Sequence, residues 1–79
     1  MHSQQIKQQI AEHIQCQHLE VDGDGNHFQA VVVSDEFIGK SRVRQQQMVY
    51  ACVQPWLTSG ELHALSLKTF TITEWQANG

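Results

Sequence analysis

The chain is short of the features that mark disulfide-rich and membrane-spanning proteins. It has one proline and two cysteines in 79 residues, and Cys16 and Cys52 lie too far apart to form a Cys-x-x-Cys motif. We therefore expect free thiols rather than a disulfide. The longest purely apolar run, Ala30 to Val33, is far shorter than the roughly 20 residues that a transmembrane helix needs. Because residues 1–5 contain no apolar signal region, we expect a cytoplasmic protein.

The charge and the polar side chains limit the classes of function. The net charge is −3, whereas a nucleic-acid-binding domain usually carries a basic excess. The exception is a local basic cluster of Lys40, Arg42 and Arg44. No Ser-His-Asp or Cys-His arrangement and no suitably spaced pair of carboxylates is evident, so we do not predict an enzyme. Five histidines in 79 residues are unusual, and histidine is a common metal ligand.

The spacing of apolar residues predicts a single α+β domain over residues 1–79, with the element order α-β-β-α-α-β-α. Apolar residues at every fourth position in the first segment form the stripe of an amphipathic helix, which Ser3 can cap. Two segments around a Gly-Asp-Gly-Asn turn predict a β-hairpin, and a later alternating segment predicts a third strand. The helical stripe is Ile6, Ile10 and Ile14, and the predicted strands are 19–22, 27–34 and 62–71.

The region between the second and third strands predicts two helices. Ser41 can cap the first of them, and a full helical stripe follows. Pro55 interrupts that stripe, and proline inside a helix removes a donor and clashes with the preceding turn. We therefore predict a break near residues 50–52, with Pro55 in the first turn of the second helix, and a short last helix capped by Thr73. An excursion this long permits parallel pairing of the flanking strands. The stripe is Val49, Cys52, Val53, Trp56 and Leu57.

A set of short motifs, in a fixed order, covers almost the whole chain. The motifs are Gly23-Asp24-Gly25-Asn26-His27-Phe28, Val32-Val33-Ser34, Phe37-x-Gly39, Ser41-Arg42-Val43, Gln45-Gln46, Val49-Tyr50, Leu62-His63-Ala64-Leu65-Ser66, Lys68-Thr69 and Thr73-Glu74-Trp75. Together they resemble the BolA-like family, and most closely its IbaG-type subgroup. The resemblance implies a three-stranded mixed sheet with helices on one face, similar to a type II KH domain. Asn26 departs from the usual Ser, and Pro55 falls where relatives continue a helix.

The resemblance also implies a function. Members of the family associate with monothiol glutaredoxins and share a [2Fe–2S] cluster with them, for cluster trafficking or for iron and redox sensing. The histidine that opens strand two and the histidine that opens strand three are the implicated ligands, and they correspond to His27 and His63. Glutathione and a cysteine of the partner are the expected remaining ligands. We accordingly expect a monomer that carries no cofactor alone and forms a heterodimer with the glutaredoxin.

The predicted topology supports a shared site, although structural roles are open to both histidines. If strands two and three are parallel neighbours roughly 4.8 Å apart, His27 and His63 lie at the same end of the sheet, and imidazole suits iron. However, His63 is in phase with Leu65 and can instead be a partly buried residue bonded to the backbone. His27 can be a polar residue beside a turn. We expect His2 to be disordered and His13 and His18 to be solvated.

Two further segments of the sequence bear on function. Residues 22–33 begin like a calcium loop, but His27 and Val33 stand where glycine and glutamate are required, so calcium is rejected. The alternative function is that of a KH-like nucleic-acid-binding transcriptional regulator, in which Lys40, Arg42 and Arg44 contact phosphate at a helix start. The segment lacks the GxxG that KH domains use, so we expect such binding to be weak and accessory. A structural homodimer is a third possibility.

Overall fold

The computed structural model describes residues 1–78, so Gly79, the last residue of the predicted domain, lies outside the described part. The elements follow the predicted order except between the second and third strands, where there is one α-helix. A short 3-10 turn at residues 35–37 precedes that helix. The bounds are α1 Ser3–His13, β1 His18–Gly23, β2 His27–Val33, α2 Arg42–Ser59, β3 Ala64–Phe70 and α3 Ile72–Asn78.

The three strands form one mixed sheet in the order β1-β2-β3. β1 and β2 pair antiparallel as a hairpin, and β2 and β3 pair in parallel across the α2 crossover. The predicted fold class, an α+β domain with a three-stranded mixed sheet, is therefore confirmed. The last residue of β1 is Gly23, and a side chain does not fit at this position, because an added Cβ would overlap with the ring of Phe28.

The core lies between one face of the sheet and the two long helices. The α1 stripe contributes Ile6 and Ile10, and α2 contributes Val49 and Val53, all fully buried. They pack in one cluster with sheet residues such as Phe28. The apolar stripes predicted for both helices are confirmed.

Among residues 1–78, no helix is both long enough and apolar enough to cross a membrane.

The predicted break near residues 50–52 is wrong, because α2 continues through Pro55 as one helix. Pro55 and Ala51, one turn before it, are both exposed. Pro55 has no backbone N–H to donate to the carbonyl of Ala51. Because both residues are exposed, water can hydrate that carbonyl at little cost in free energy. A residue of α1 also stabilises this part of α2. The side-chain amide of Gln9 donates to the Cys52 carbonyl, on the buried face of α2, at 3.0 Å.

Of the three predicted capping residues, the structure confirms Ser41 and corrects Ser3 and Thr73. Ser41 caps α2 as expected, and its Oγ accepts the Arg44 amide at 3.2 Å. Ser3 is the first residue of α1 rather than its cap, and His2 holds the cap position. Thr73 lies inside α3. Thr71 caps that helix instead, since its Oγ1 accepts the Glu74 amide at 3.2 Å.

The last helix lies over the other face of the sheet. His18, Val33 and Phe70 share that face by register. The indole of Trp75 stacks on the His18 ring at a centroid distance of 4.8 Å and meets the Phe70 ring at 5.5 Å. This contact covers one end of a face that is otherwise open, which explains why Val33 is 1% exposed.

Candidate functional site

His27 and His63 lie at the same end of the parallel strand pair, which confirms the predicted juxtaposition. His27 is the first residue of β2, and its register partner is Ala64. His63 immediately precedes Ala64, the first residue of β3. The backbones that carry the two imidazoles are therefore on adjacent strands, which are roughly 4.8 Å apart in a sheet.

The turn before His27 is held by one carboxylate. An Oδ1 atom of Asp24 accepts the backbone N–H groups of Asn26 and His27, both at 2.9 Å. These hydrogen bonds lower the pKa of the Asp24 carboxyl, because they favour its charged form. Gly25 adopts a φ of 102°, which suits a residue without a Cβ. The backbone at His27 is consequently fixed, while its side chain is exposed.

The two histidines are placed differently relative to the sheet. Side chains alternate along a strand, and His27 shares its face with Gln29 and Ala64, opposite the face on which Leu65 packs in the core. His63 precedes β3, so strand alternation does not fix the direction of its side chain. An iron atom bound by both histidines would therefore lie beyond the ends of the strands.

His63 is not the partly buried residue that its phase with Leu65 suggested. It is exposed, because it stands just outside β3, past the edge of the core. Within the described chain, the imidazoles of His63 and His27 form no hydrogen bond. A ring nitrogen with a free lone pair is what a metal requires of histidine.

A shallow cavity of about 550 Å³ opens beside His63. Its wall includes His2, the turn residue Asn26, and Glu61 from the loop before β3. His2 is not disordered, contrary to the expectation. Its backbone N–H donates to Oε1 of Gln5 at 2.8 Å and fixes the residue at the start of α1.

The donor set fits a shared cluster and does not fit a self-contained one. Exposed imidazoles match the histidine ligation known for [2Fe–2S] centres. Over residues 1–78, no group of three or more His, Cys, Asp or Glu side chains is placed to hold a metal ion. His63 and His27 are the residues that would bind iron here, and other ligands have to come from outside the chain.

The basic cluster is mostly occupied with the fold. Arg42 donates to the backbone carbonyl of Thr69 and pairs with Glu74 at 3.2 Å. The ammonium group of Lys40 donates to the carbonyl of Glu36 at 2.9 Å. Arg44 is exposed. Arg42, one of the three residues predicted to contact phosphate, is therefore a structural residue that joins α2, β3 and α3.

The histidines near α1 have structural partners. Nδ1 of His13 lies 2.9 Å from the Gln9 carbonyl. His18 lies within hydrogen-bonding distance of the Glu20 carboxylate and stacks on Trp75. The expectation of a solvated residue is confirmed for His13, which is exposed. It holds in part for His18, whose side chain is 40% exposed.

Both cysteines are free, as expected, and both pack against the core. Burial raises the pKa of Cys16 to about 11, with a further contribution from the Glu36 carboxylate. Burial also raises the pKa of Cys52. Because the thiolate is the form that binds metals and reacts, neither cysteine is suited to be a ligand or a nucleophile.

Comparison with known proteins agrees with this architecture. A family model described as BolA-like protein matches residues 2–74. The acid stress protein IbaG of Escherichia coli K12 is 36% identical over 75 residues, which cover 95% of this chain and 89% of that protein. The structure of a BolA protein homologue from Coxiella burnetii superposes with a TM-score of 0.84 at 34% identity, over 96% of this chain and 97% of the other.

A further relative carries a different description. The DNA-binding transcriptional regulator BolA of Escherichia coli K12 is 39% identical over 54 residues. The match covers 68% of this chain and 50% of the regulator. The similarity therefore includes a protein described as a DNA-binding regulator, over part of its length.

Proposed function

Since the chain belongs to the BolA-like family, we propose that it is a non-catalytic adaptor that binds a monothiol glutaredoxin and shares a [2Fe–2S] cluster with it. His63 and His27 are the ligands from this chain. The remaining ligands come from a cysteine of the glutaredoxin and from glutathione, as the resemblance to the family implies.

One observation carries the proposal. The parallel pairing of His27 with Ala64 brings two exposed histidines to the same end of the sheet, although they are 36 residues apart in the chain. Imidazole ligands suit iron, and they raise the potential of a [2Fe–2S] centre above that of an all-cysteine one. Exposure also leaves both groups accessible to a second protein.

The same geometry supports a role in transfer or sensing. A cluster needs four protein or thiol ligands, and the two cysteines of this chain are held away as protonated, core-packed thiols. The chain therefore has too few ligands to retain a cluster alone. A cluster divided between two chains can be released when the partners separate, which suits delivery or sensing better than storage.

The two histidines are held differently. His27 is the first residue of β2, and the hydrogen bonds that Asp24 accepts fix its backbone. His63 lies in the loop just before β3. Ligands on rigid elements are better preorganised than ligands on loops, so His27 is the better preorganised of the two, and loss of either histidine should alter the shared cluster.

Co-expression with a monothiol glutaredoxin from the same host tests the proposal. The expected product is a one-to-one complex on gel filtration, with visible absorption and circular dichroism that differ from those of the cluster-loaded glutaredoxin alone. The chain purified alone is expected to be colourless and monomeric. Failure to form a complex, together with an unchanged cluster spectrum, would contradict the proposal.

Nucleic-acid binding is the second candidate, favoured by the similarity to the regulator described as DNA-binding. With Arg42 engaged by Thr69 and Glu74, the basic charge left to contact phosphate is that of Lys40 and Arg44. Two such contacts on a chain of net charge −3 support only weak, salt-sensitive binding.

A further inference from the structure

His2 lies between the two loops that carry the proposed ligands. It lines the cavity of about 550 Å³ with His63, Asn26 and Gly60. It also lines a second shallow cavity, of about 360 Å³, together with the turn residues Asp24 and Gly25. The start of α1 is thus the third segment at this end of the molecule, beside the β1–β2 turn and the loop before β3.

We propose that His2 is a further metal ligand at this site and that His2 and His63 can coordinate one metal ion in the cavity that both line. This inference rests on the proposed role of His63 as a ligand and adds to it. Imidazole binds Zn²⁺, Cu²⁺, Ni²⁺ and iron, so the pair forms a site for a transition metal, completed by water or by a partner.

The backbone of His2 is held firmly enough for such a role. Its N–H donates to Oε1 of Gln5 at 2.8 Å, and its carbonyl accepts the Gln5 amide at 3.0 Å. The side chain is exposed and also occupies the capping-box position at the start of α1. The thermal stability of a variant that lacks the imidazole therefore separates a ligand role from a capping role.

The lining of the cavity also favours His2 as the neighbour of His63. Both histidines line the cavity of about 550 Å³, together with Glu61, whereas His27 is not part of its wall. A metal ion in this cavity would therefore be bound by His2 and His63 rather than by His27.

The test is a titration of the chain alone with Zn²⁺ at about pH 7.5, followed by NMR of the histidine ring resonances, because metal affinity depends on pH through the deprotonated ligands. We expect the resonances of His2 and His63 to move together on one binding curve of one metal per chain. His2→Gln and His63→Gln should each weaken that binding by at least about tenfold, since even residues that only support a ligand contribute that much. His13→Gln, at the other end of α1, is the matched control and should leave it unchanged.

Two outcomes would overturn the inference. One is that His2→Gln leaves the affinity at His63 unaltered. The other is that His2 responds only at the metal concentration at which His13 responds. A thermal melt of each variant confirms that the fold is retained. Because no glutaredoxin is present, failure here is distinct from failure of the adaptor proposal, which is judged by complex formation and the cluster spectrum.

Discussion

The guanidinium group of Arg42, in the first turn of α2, donates to the backbone carbonyl of Thr69 in β3. Thr69 lies on the outer strand of the sheet, where alternate backbone carbonyls have no strand partner. The hydroxyl of Tyr50 similarly donates to the Leu65 carbonyl at 2.8 Å. Side chains of α2 thus satisfy the open edge of β3, and an exposed edge is a site of unwanted strand pairing.

Arg42→Ala should destabilise the domain by about 1 kcal/mol, because the change removes a charged donor from a partly buried carbonyl. Arg44→Ala is the matched control, since Arg44 is exposed two positions away, and we expect no measurable loss. Urea unfolding at neutral pH measures both. Equal stability of the two variants would show that the Arg42–Thr69 contact contributes nothing to the fold.

The sheet, the hairpin and the helical stripes followed from the sequence, because each depends on local periodicity and on turn residues. The course of α2 through Pro55 did not, because it depends on which side of the helix meets water. Exposure of Ala51 and Pro55 and the donation from Gln9 to Cys52 become known only once α1 and α2 are packed.

The candidate site was predictable in part for the same kind of reason. The proximity of His27 and His63 follows from parallel pairing, which crossover length already indicated. That His63 falls just outside β3 depends on a register of one residue, which pairs His27 with Ala64. The structural role of Arg42 and the place of His2 depend on contacts between segments distant in sequence, for which the amino-acid pattern holds little signal.

DNA binding is expected to be weak and to depend on salt. Titration of a labelled duplex at physiological salt should give only non-specific affinity, on the order of 10⁻⁴ M or weaker. The combined change Lys40→Ala and Arg44→Ala should reduce it further at low salt. Tight, sequence-specific binding by the unaltered chain would instead favour the regulator role.

Glu74 gives the stability a pH dependence in the acidic range. Its carboxylate accepts the Thr71 amide at 2.9 Å, and this hydrogen bond, with the charge of Arg42, lowers its pKa below 4.5. A lowered pKa in the folded state adds stability above the ordinary value, and that contribution is lost as the pH falls through the folded value. Glu74→Gln should therefore lower the melting temperature at pH 7 and change it little near pH 3. An equal shift at both pH values would assign the effect to packing.

Cys16 should react slowly with alkylating agents at neutral pH. Its pKa of about 11 leaves little thiolate, and thiolate is the reactive species. Between pH 7 and 9 the alkylation rate, followed by mass spectrometry, should rise roughly tenfold per pH unit in the folded chain. A rate at pH 7 equal to that of the urea-unfolded chain would contradict the assigned burial of this thiol.

The most direct test of the adaptor role is the visible circular dichroism of the His63→Ala variant mixed with the cluster-loaded glutaredoxin. If His63 binds iron, the variant should lack the altered spectrum of the mixed cluster, while His13→Ala retains it and His27→Ala also alters it. All three variants should melt close to the unaltered chain, because these histidines are exposed and lie outside the core. A His63→Ala complex with the unaltered mixed-cluster spectrum would contradict the account.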